Sequence, residues 1–167
     1  MLILGAVVFA AMALEAVRAA RNEAAQRARG GLEAAGDVYK MMRVAYPGAF
    51  LAMIAEGAIR GGPPAGWVIA GAFLFAAAKA LKWWAVAALG PFWTFRVIVV
   101  PGARLVSSGP YRFLRHPNYV AVVAELVSTA LMTGSVVAGP LATIGFSLLI
   151  LERISVEERA LRANAPP

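Results

Sequence analysis

The sequence predicts an all-α integral membrane protein with about five transmembrane helices in a single membrane domain, residues 1–167, and three observations carry that expectation. Hydrophobic residues make up 60% of the 167 and the mean hydropathy is +0.70, more apolar surface than a soluble domain of this length buries in one core. Five apolar stretches recur along the chain, and the basic residues are sorted into alternate loops between them. That sorting decides how to read a net charge of +7 and a pI near 10.6. A nucleic-acid binder has no reason to segregate its cations this way, so no nucleic-acid partner is expected, and the charge reads as a topology signal with some affinity for anionic membrane lipids.

The elements follow in order. The first stretch, residues 2–17, carries its arginines after the apolar run, which marks a retained span rather than a cleaved leader. Arg18 to Arg29 extend that helix until Gly30 and Gly31 break it, and an amphipathic stretch runs on to Arg43. The second, 44–59, is short, begins beside Pro47 and contains Glu56, four residues before Arg60 and so able to pair with it near a membrane surface. GGPPAG at 61–66 turns the chain into the third, 65–84, which closes on Lys79, Lys82, Trp83 and Trp84. Residues 90–117 hold a β-branched apolar run, a Pro-Gly turn and a second short apolar pair, which predicts an irregular hairpin against the membrane. The fourth and fifth stretches, 118–134 and 136–152, are joined by TGSVVAGP at 133–140. Each is close to the roughly 17–25 residues a span requires. Five crossings put 15 of the 16 Lys and Arg on one side, Arg104 among them, with only Arg60 opposite. The N-terminus is then expected outside and the C-terminus in the cytoplasm, at a bacterial inner membrane.

Two segments concentrate the chemistry. In GPYRFLRHPNYVAVVAELV, Gly109 to Val127, Pro117 suits the first turn of a helix, which puts Arg115 and His116 at its mouth, where free N–H groups and the helix dipole favour an anion. The alternative for this cluster is an anchor in lipid headgroups. Farther along, Asn118, Glu125 and Thr129 share one helix face. An acid inside a span costs about 2.5–3.5 kcal/mol on insertion scales. It marks either a functional site or an acid that pairs with an arginine and holds helices together, so Glu125 and Asn118 are candidates for substrate contact or helix packing. The tail, LERISVEERAL at 151–161, places Arg153 and Glu157 four apart, the spacing of an ordinary ion pair on a solvated helix. Glu158 projects from another side, and the tail leaves the membrane on the side of Arg115. The absence of cysteine excludes thiolate sites and disulfides, and a single histidine argues against a zinc site built from protein alone, so no metal is expected.

Together, G-x-Y-x-x-x-R-H-P-x-Y at 109–119 and R-I-x-x-E-E-x-x-L at 153–161 resemble the isoprenylcysteine carboxyl methyltransferase family of integral membrane enzymes, over roughly residues 89–162. The resemblance implies an S-adenosylmethionine-dependent O-methyltransferase, with S-adenosylhomocysteine as product. Its cofactor pocket would be formed by the cytoplasmic loop or hairpin and the C-terminal helix, and a lipophilic acceptor would enter from the bilayer. On that resemblance Arg115, His116, Pro117 and Tyr119 shape the cofactor pocket with support from Glu157, while Arg153 and Glu158 lie near the reacting groups. The methylated oxygen would belong to a carboxylate or an acidic hydroxyl, as on a prenyl derivative, a long-chain polyketide or pyrone, or a fatty-tailed acid. No G-x-G motif follows a predicted strand, so the soluble Rossmann methyltransferase fold is not expected. The competing class is a non-enzymatic membrane scaffold or transporter subunit, in which Glu125 and the arginines form structural pairs or an ion path. A lipid-binding sensor would bind the acceptor without turnover. The small residues of GAFLFAAAKA, 71–80, permit close helix packing within one chain or between copies and leave the oligomeric state open.

Overall fold

The computed structural model describes residues 1–103 and 105–164; Arg104, counted above with the basic loop residues, lies outside them. Five helices account for the five apolar stretches: α1 (Leu2–Ala28), α2 (Tyr39–Arg60), α3 (Ala65–Leu89), α4 (Pro117–Thr133) and α5 (Ala138–Ala163). Two short strands, β1 (Leu32–Glu33) and β2 (Ile98–Val99), and 3₁₀ turns at Gly90–Phe92 and Gly109–Arg112 make up the connections. α1, α3 and α5 are long and apolar enough to cross a membrane. α4 has only 17 residues, and α2 contains Pro47 and Glu56.

The helices alternate in direction. The turns at Gly61–Pro64 and Gly134–Val137 meet at one end, where a Cβ on Gly134 would lie 3.0 Å from Pro63 Cβ. The end of α1, the starts of α2 and α4, and the ends of α3 and α5 gather at the other. α4 packs against α2, α3 and α5, and Val122 and Leu126 from it join Val8, Phe50, Met53, Phe146 and Ile150 in the main apolar core. α3 approaches α4 closely because Gly71 has no side chain: a Cβ there would sit 2.6 Å from Met132 Cγ and 2.8 Å from the Ser128 carbonyl oxygen. Gly71 and Ala78, both buried, use the small-residue stretch for packing inside the chain.

Charge placement adds to the sequence reading in two places. Lys79 and Lys82 are not free cations at the end of a span. Lys82 is 3% exposed, and its Nζ donates to Glu15 at 2.8 Å and to Glu125 at 3.1 Å. Lys79 Nζ donates to Glu15 at 2.8 Å and lies 3.1 Å from Glu125 Oε1 without hydrogen-bond alignment. Tyr46 donates its hydroxyl hydrogen to Glu125. Glu125 therefore fastens α2, α3 and α4, through lysines rather than an arginine, and Glu15 brings in α1. Glu56 is the second. It does pair with Arg60, at 3.9 Å, and it also accepts backbone N–H bonds from Val136, Val137 and Ala138 at 2.6–3.3 Å, satisfying the free donors at the start of α5.

The expected hairpin within residues 90–117 is also corrected. The apolar run does form a strand, β2, but it pairs antiparallel with β1 from the loop after α1, Leu32 opposite Val99 and Glu33 opposite Ile98. The pairing is held because that loop supplies acids where 90–117 has none: Arg96 Nη1 donates to Glu33 at 2.6 Å and Val97 N–H donates to Asp37 at 2.8 Å.

Removing one charge from the Glu15–Lys79–Lys82–Glu125 group leaves another without compensation, a loss of about 3–5 kcal/mol for buried pairs. Lys82→Met is expected to lower the unfolding temperature sharply in detergent, and Lys82→Met with Glu125→Gln to recover much of the loss. A double variant as unstable as the sum of its parts would contradict this pairing.

Candidate active site

The start of α4 is built as its sequence predicts. Pro117 occupies the first helical position and His116 the capping position, with non-helical φ −131° and ψ 62°. The preceding 3₁₀ turn is entered through Gly109 at φ +60°, where a Cβ would come within 3.0 Å of Ala88 Cβ and 3.2 Å of Trp84 Nε1. Glycine serves there for both its backbone freedom and its size. The turn packs against α3, and burial of Tyr111, followed by the nearby Glu157, pushes its hydroxyl pKa above the ordinary tyrosine range, so the group stays neutral.

Tyr119, two residues into α4 from Pro117, joins the two motifs. Its hydroxyl donates to Glu157 Oε2 at 2.7 Å and accepts from Arg153 Nε at 3.0 Å, and its ring stacks on His116 with centroids 5.6 Å apart. His116 Nε2 is 3.5 Å from Glu158 Oε1, and Arg162 donates to the other oxygen of Glu158 at 3.1 Å. The simple Arg153–Glu157 pair expected from spacing is absent among the described residues. Arg153, 6% exposed, instead donates through Nη1 to Asp37 at 2.6 Å and reaches Glu157 only through Tyr119. The reason is burial: a cation withdrawn from water takes the buried acid rather than one on the half-exposed face of its own helix.

These groups surround one cavity of about 540 Å³ at the end of the bundle that gathers the basic residues. Arg115, His116, Asn118, Tyr119, Arg153, Glu157 and Glu158 all line it. Pro117 lies buried behind them. Glu125 is 1% exposed, does not line the cavity and belongs to the helix-fastening group, whereas Asn118 reaches the cavity and accepts from Trp93 Nε1 at 3.4 Å. The opposite wall comes from residues 92–100 and includes Phe92, Trp93 and Phe95. That wall is held by polar side chains of α1: Asn22 donates to the carbonyls of Gly90 and Trp93, Gln26 to that of Pro91, and Glu23 accepts from the N–H groups of Phe95 and Arg96. Arg96, hydrogen-bonded to Glu33, holds that carboxyl below the usual carboxylate range.

Sequence reasoning passed over Asp37, Asn22, Glu23 and Gln26. Asp37 did carry a signal, as the chain's one aspartate, placed just before a helix.

The model of the isoprenylcysteine carboxyl methyltransferase (ICMT) family matches residues 69–163. The chain is also 30% identical over 157 residues to the uncharacterized protein YpbQ of Bacillus subtilis (strain 168), an alignment covering 94% of each. No solved structure matches.

Tyr119→Phe removes an oxygen that serves two charged partners, so it is expected to destabilise the protein by about 1–3 kcal/mol, read as a lowered thermal midpoint. Tyr111→Phe, whose hydroxyl has no hydrogen bond among the described residues, is expected to cost less. Equal effects would contradict the bridging role.

Proposed function

The chain belongs to the isoprenylcysteine carboxyl methyltransferase family, a family of membrane methyltransferases, and from that premise we propose that it transfers a methyl group from S-adenosylmethionine to an oxygen of a lipophilic acceptor that enters from the bilayer. The observation that carries the reading is the convergence of the RHP motif and the C-terminal Arg-Glu-Glu motif on one cavity. Its volume falls within the roughly 300–1,000 Å³ typical of small-molecule sites.

The residues present fit such a donor. Arg115 offers a planar pair of N–H donors for an amino-acid carboxylate. Glu157, Glu158 and the aromatic rings of Phe92 and Tyr111 offer negative charge and π faces to a sulfonium. When bound, S-adenosylmethionine supplies an electrophilic methyl group. The chain's part is then to align the acceptor oxygen with that methyl at about 3–3.5 Å and to keep water out. Arg153 orients an acceptor carboxylate, which has no proton to lose; for an acidic hydroxyl, Glu158 or His116 receives the proton.

The same reading extends to topology. All five helices cross the membrane, with the N-terminus outside and the cavity facing the cytoplasm of a bacterium. Support comes from Arg18, Arg21, Lys40, Arg43, Arg112, Arg115 and Arg159, which stand at the cavity end of the bundle, while Arg60 stands at the other. At about 1.5 Å per residue, α4 is some 25 Å long, short for a bilayer unless lipid thins around it.

Calorimetric titration in detergent with S-adenosylhomocysteine is expected to give saturable micromolar binding that Arg115→Ala abolishes while the fold survives. Unchanged affinity in the variant would remove Arg115 from the pocket, and no binding by the parent protein would favour a scaffold. Glu158→Gln is expected to lose turnover far more than affinity for S-adenosylhomocysteine; full activity in this variant would remove Glu158 from the reaction.

A further inference from the structure

Asp37 lies in the loop between β1 and α2, 116 residues from Arg153 in sequence and outside the segment that matches the family. Its side chain is 5% exposed. Three donors converge on the carboxylate: Oδ1 accepts from Arg153 Nη1 at 2.6 Å and from Tyr39 N–H at 3.0 Å, and Oδ2 accepts from Val97 N–H at 2.8 Å. The Tyr39 bond closes a local turn at the start of α2, which fixes the loop that carries the acid. The Val97 bond ties the same carboxylate to the cavity wall, beside the ladder bond from Ala34 N–H to the Val97 carbonyl at 2.9 Å.

The consequence falls on Arg153. Tyr119 takes its Nε and Asp37 takes Nη1, so both sides of the guanidinium are fixed. Nη2 has no hydrogen-bond partner among the described residues and is not among the buried unpartnered atoms, and Arg153 lines the cavity. The guanidinium is thus locked in one orientation with one nitrogen left for a bound group. Asp37 also balances its charge, so a buried cation can wait in the cavity without an anion occupying Nη2.

We propose that Asp37 is a positioning residue for methyl transfer: it orients and charge-balances Arg153 and holds the Val97 wall in register with it, which makes the loop at 34–39 part of the active site. The inference rests on the methyltransferase reading above. Asparagine at position 37 presents one acceptor oxygen in place of two and no charge, so either Val97 N–H or Arg153 loses its partner.

The test compares wild type, Asp37→Asn, Arg153→Lys and the double variant for kcat and KM in methyl transfer to a lipophilic acid, with S-adenosylhomocysteine affinity measured in parallel. Asp37→Asn is expected to lower kcat by about 10–100-fold while S-adenosylhomocysteine affinity stays within about threefold, because misplacement of a positioned group acts on the reacting geometry. In the Arg153→Lys background it is expected to cause little further loss, since the two residues act as one unit. Undiminished kcat in Asp37→Asn, or losses that multiply independently in the double variant, would overturn the proposal while leaving the enzyme reading intact. A wild type that neither binds S-adenosylhomocysteine nor transfers a methyl group would overturn both. Should Asp37→Asn fail to fold, Asp37→Glu, which keeps the charge and shifts the carboxylate by one methylene, is read in the same way: a fall in kcat at constant affinity supports the proposal, and wild-type kcat overturns it.

Discussion

A charge withdrawn from water must find an opposite charge or a set of hydrogen bonds, and the architecture of this chain follows from that constraint. Among the described residues, two groups of charged side chains are buried in the bundle. In the middle of the helices, Glu15, Lys79, Lys82 and Glu125 form two opposed pairs that cancel, with the Tyr46 hydroxyl on Glu125. At the cavity end, Asp37 faces Arg153 and Tyr119 passes the contact on to Glu157. The first group fixes which helices are neighbours, and the second fixes which loops close over their ends. Apolar packing alone distinguishes such alternatives poorly in lipid, where the surrounding hydrocarbon resembles the core.

The two halves of the chain consequently depend on each other. The segment that matches the family supplies the side chains lining the cavity, yet its 90–100 wall is not self-supporting. Asn22, Glu23 and Gln26 hold that wall by its backbone, and β1 completes the strand pair. α1 thus acts in two places: Glu15 within the bundle, and a polar face two to three turns later that serves as a bracket for the site. The alignment with the Bacillus relative spans nearly the whole chain, as expected where the N-terminal half is part of the working structure.

Sequence made the helices legible because hydrophobic content and turn residues are local properties. The breaks at Gly30–Gly31, Gly61–Pro64 and Gly134–Val137, and the helical start at Pro117, all followed from neighbouring residues. The meeting of the Arg115 and Glu158 segments was anticipated from the paired motifs and from the expectation that both leave the membrane on one side. Partners across long separations were not. Nothing in the periodicity of residues 32–43 says that Leu32–Glu33 pairs with Ile98–Val99, or that Asp37 lies against Arg153. Local spacing even misled: the four-residue spacing of Arg153 and Glu157 promised a pair, and burial redirected the arginine. Glu15 could have been found, since the argument applied to Glu125, that an acid within an apolar span needs a reason, applies equally to ALEAV in the first stretch.

The chemistry asked of the site is modest in kind and demanding in geometry. A guanidinium fixed on two sides, a histidine at a helix mouth and two acids on successive residues of one helix give a small cavity a fixed pattern of charge before anything binds, the arrangement in which electrostatic preorganisation is most effective. The most direct measurement is transfer of a labelled methyl group from S-adenosylmethionine by the purified protein, reconstituted in lipid nanodiscs with a bacterial lipid extract. Label is expected in the organic-soluble fraction in proportion to enzyme, as a base-labile ester or a stable ether, together with release of S-adenosylhomocysteine. No label above the level of empty nanodiscs, from protein that is folded and binds S-adenosylhomocysteine, would contradict a lipophilic acceptor.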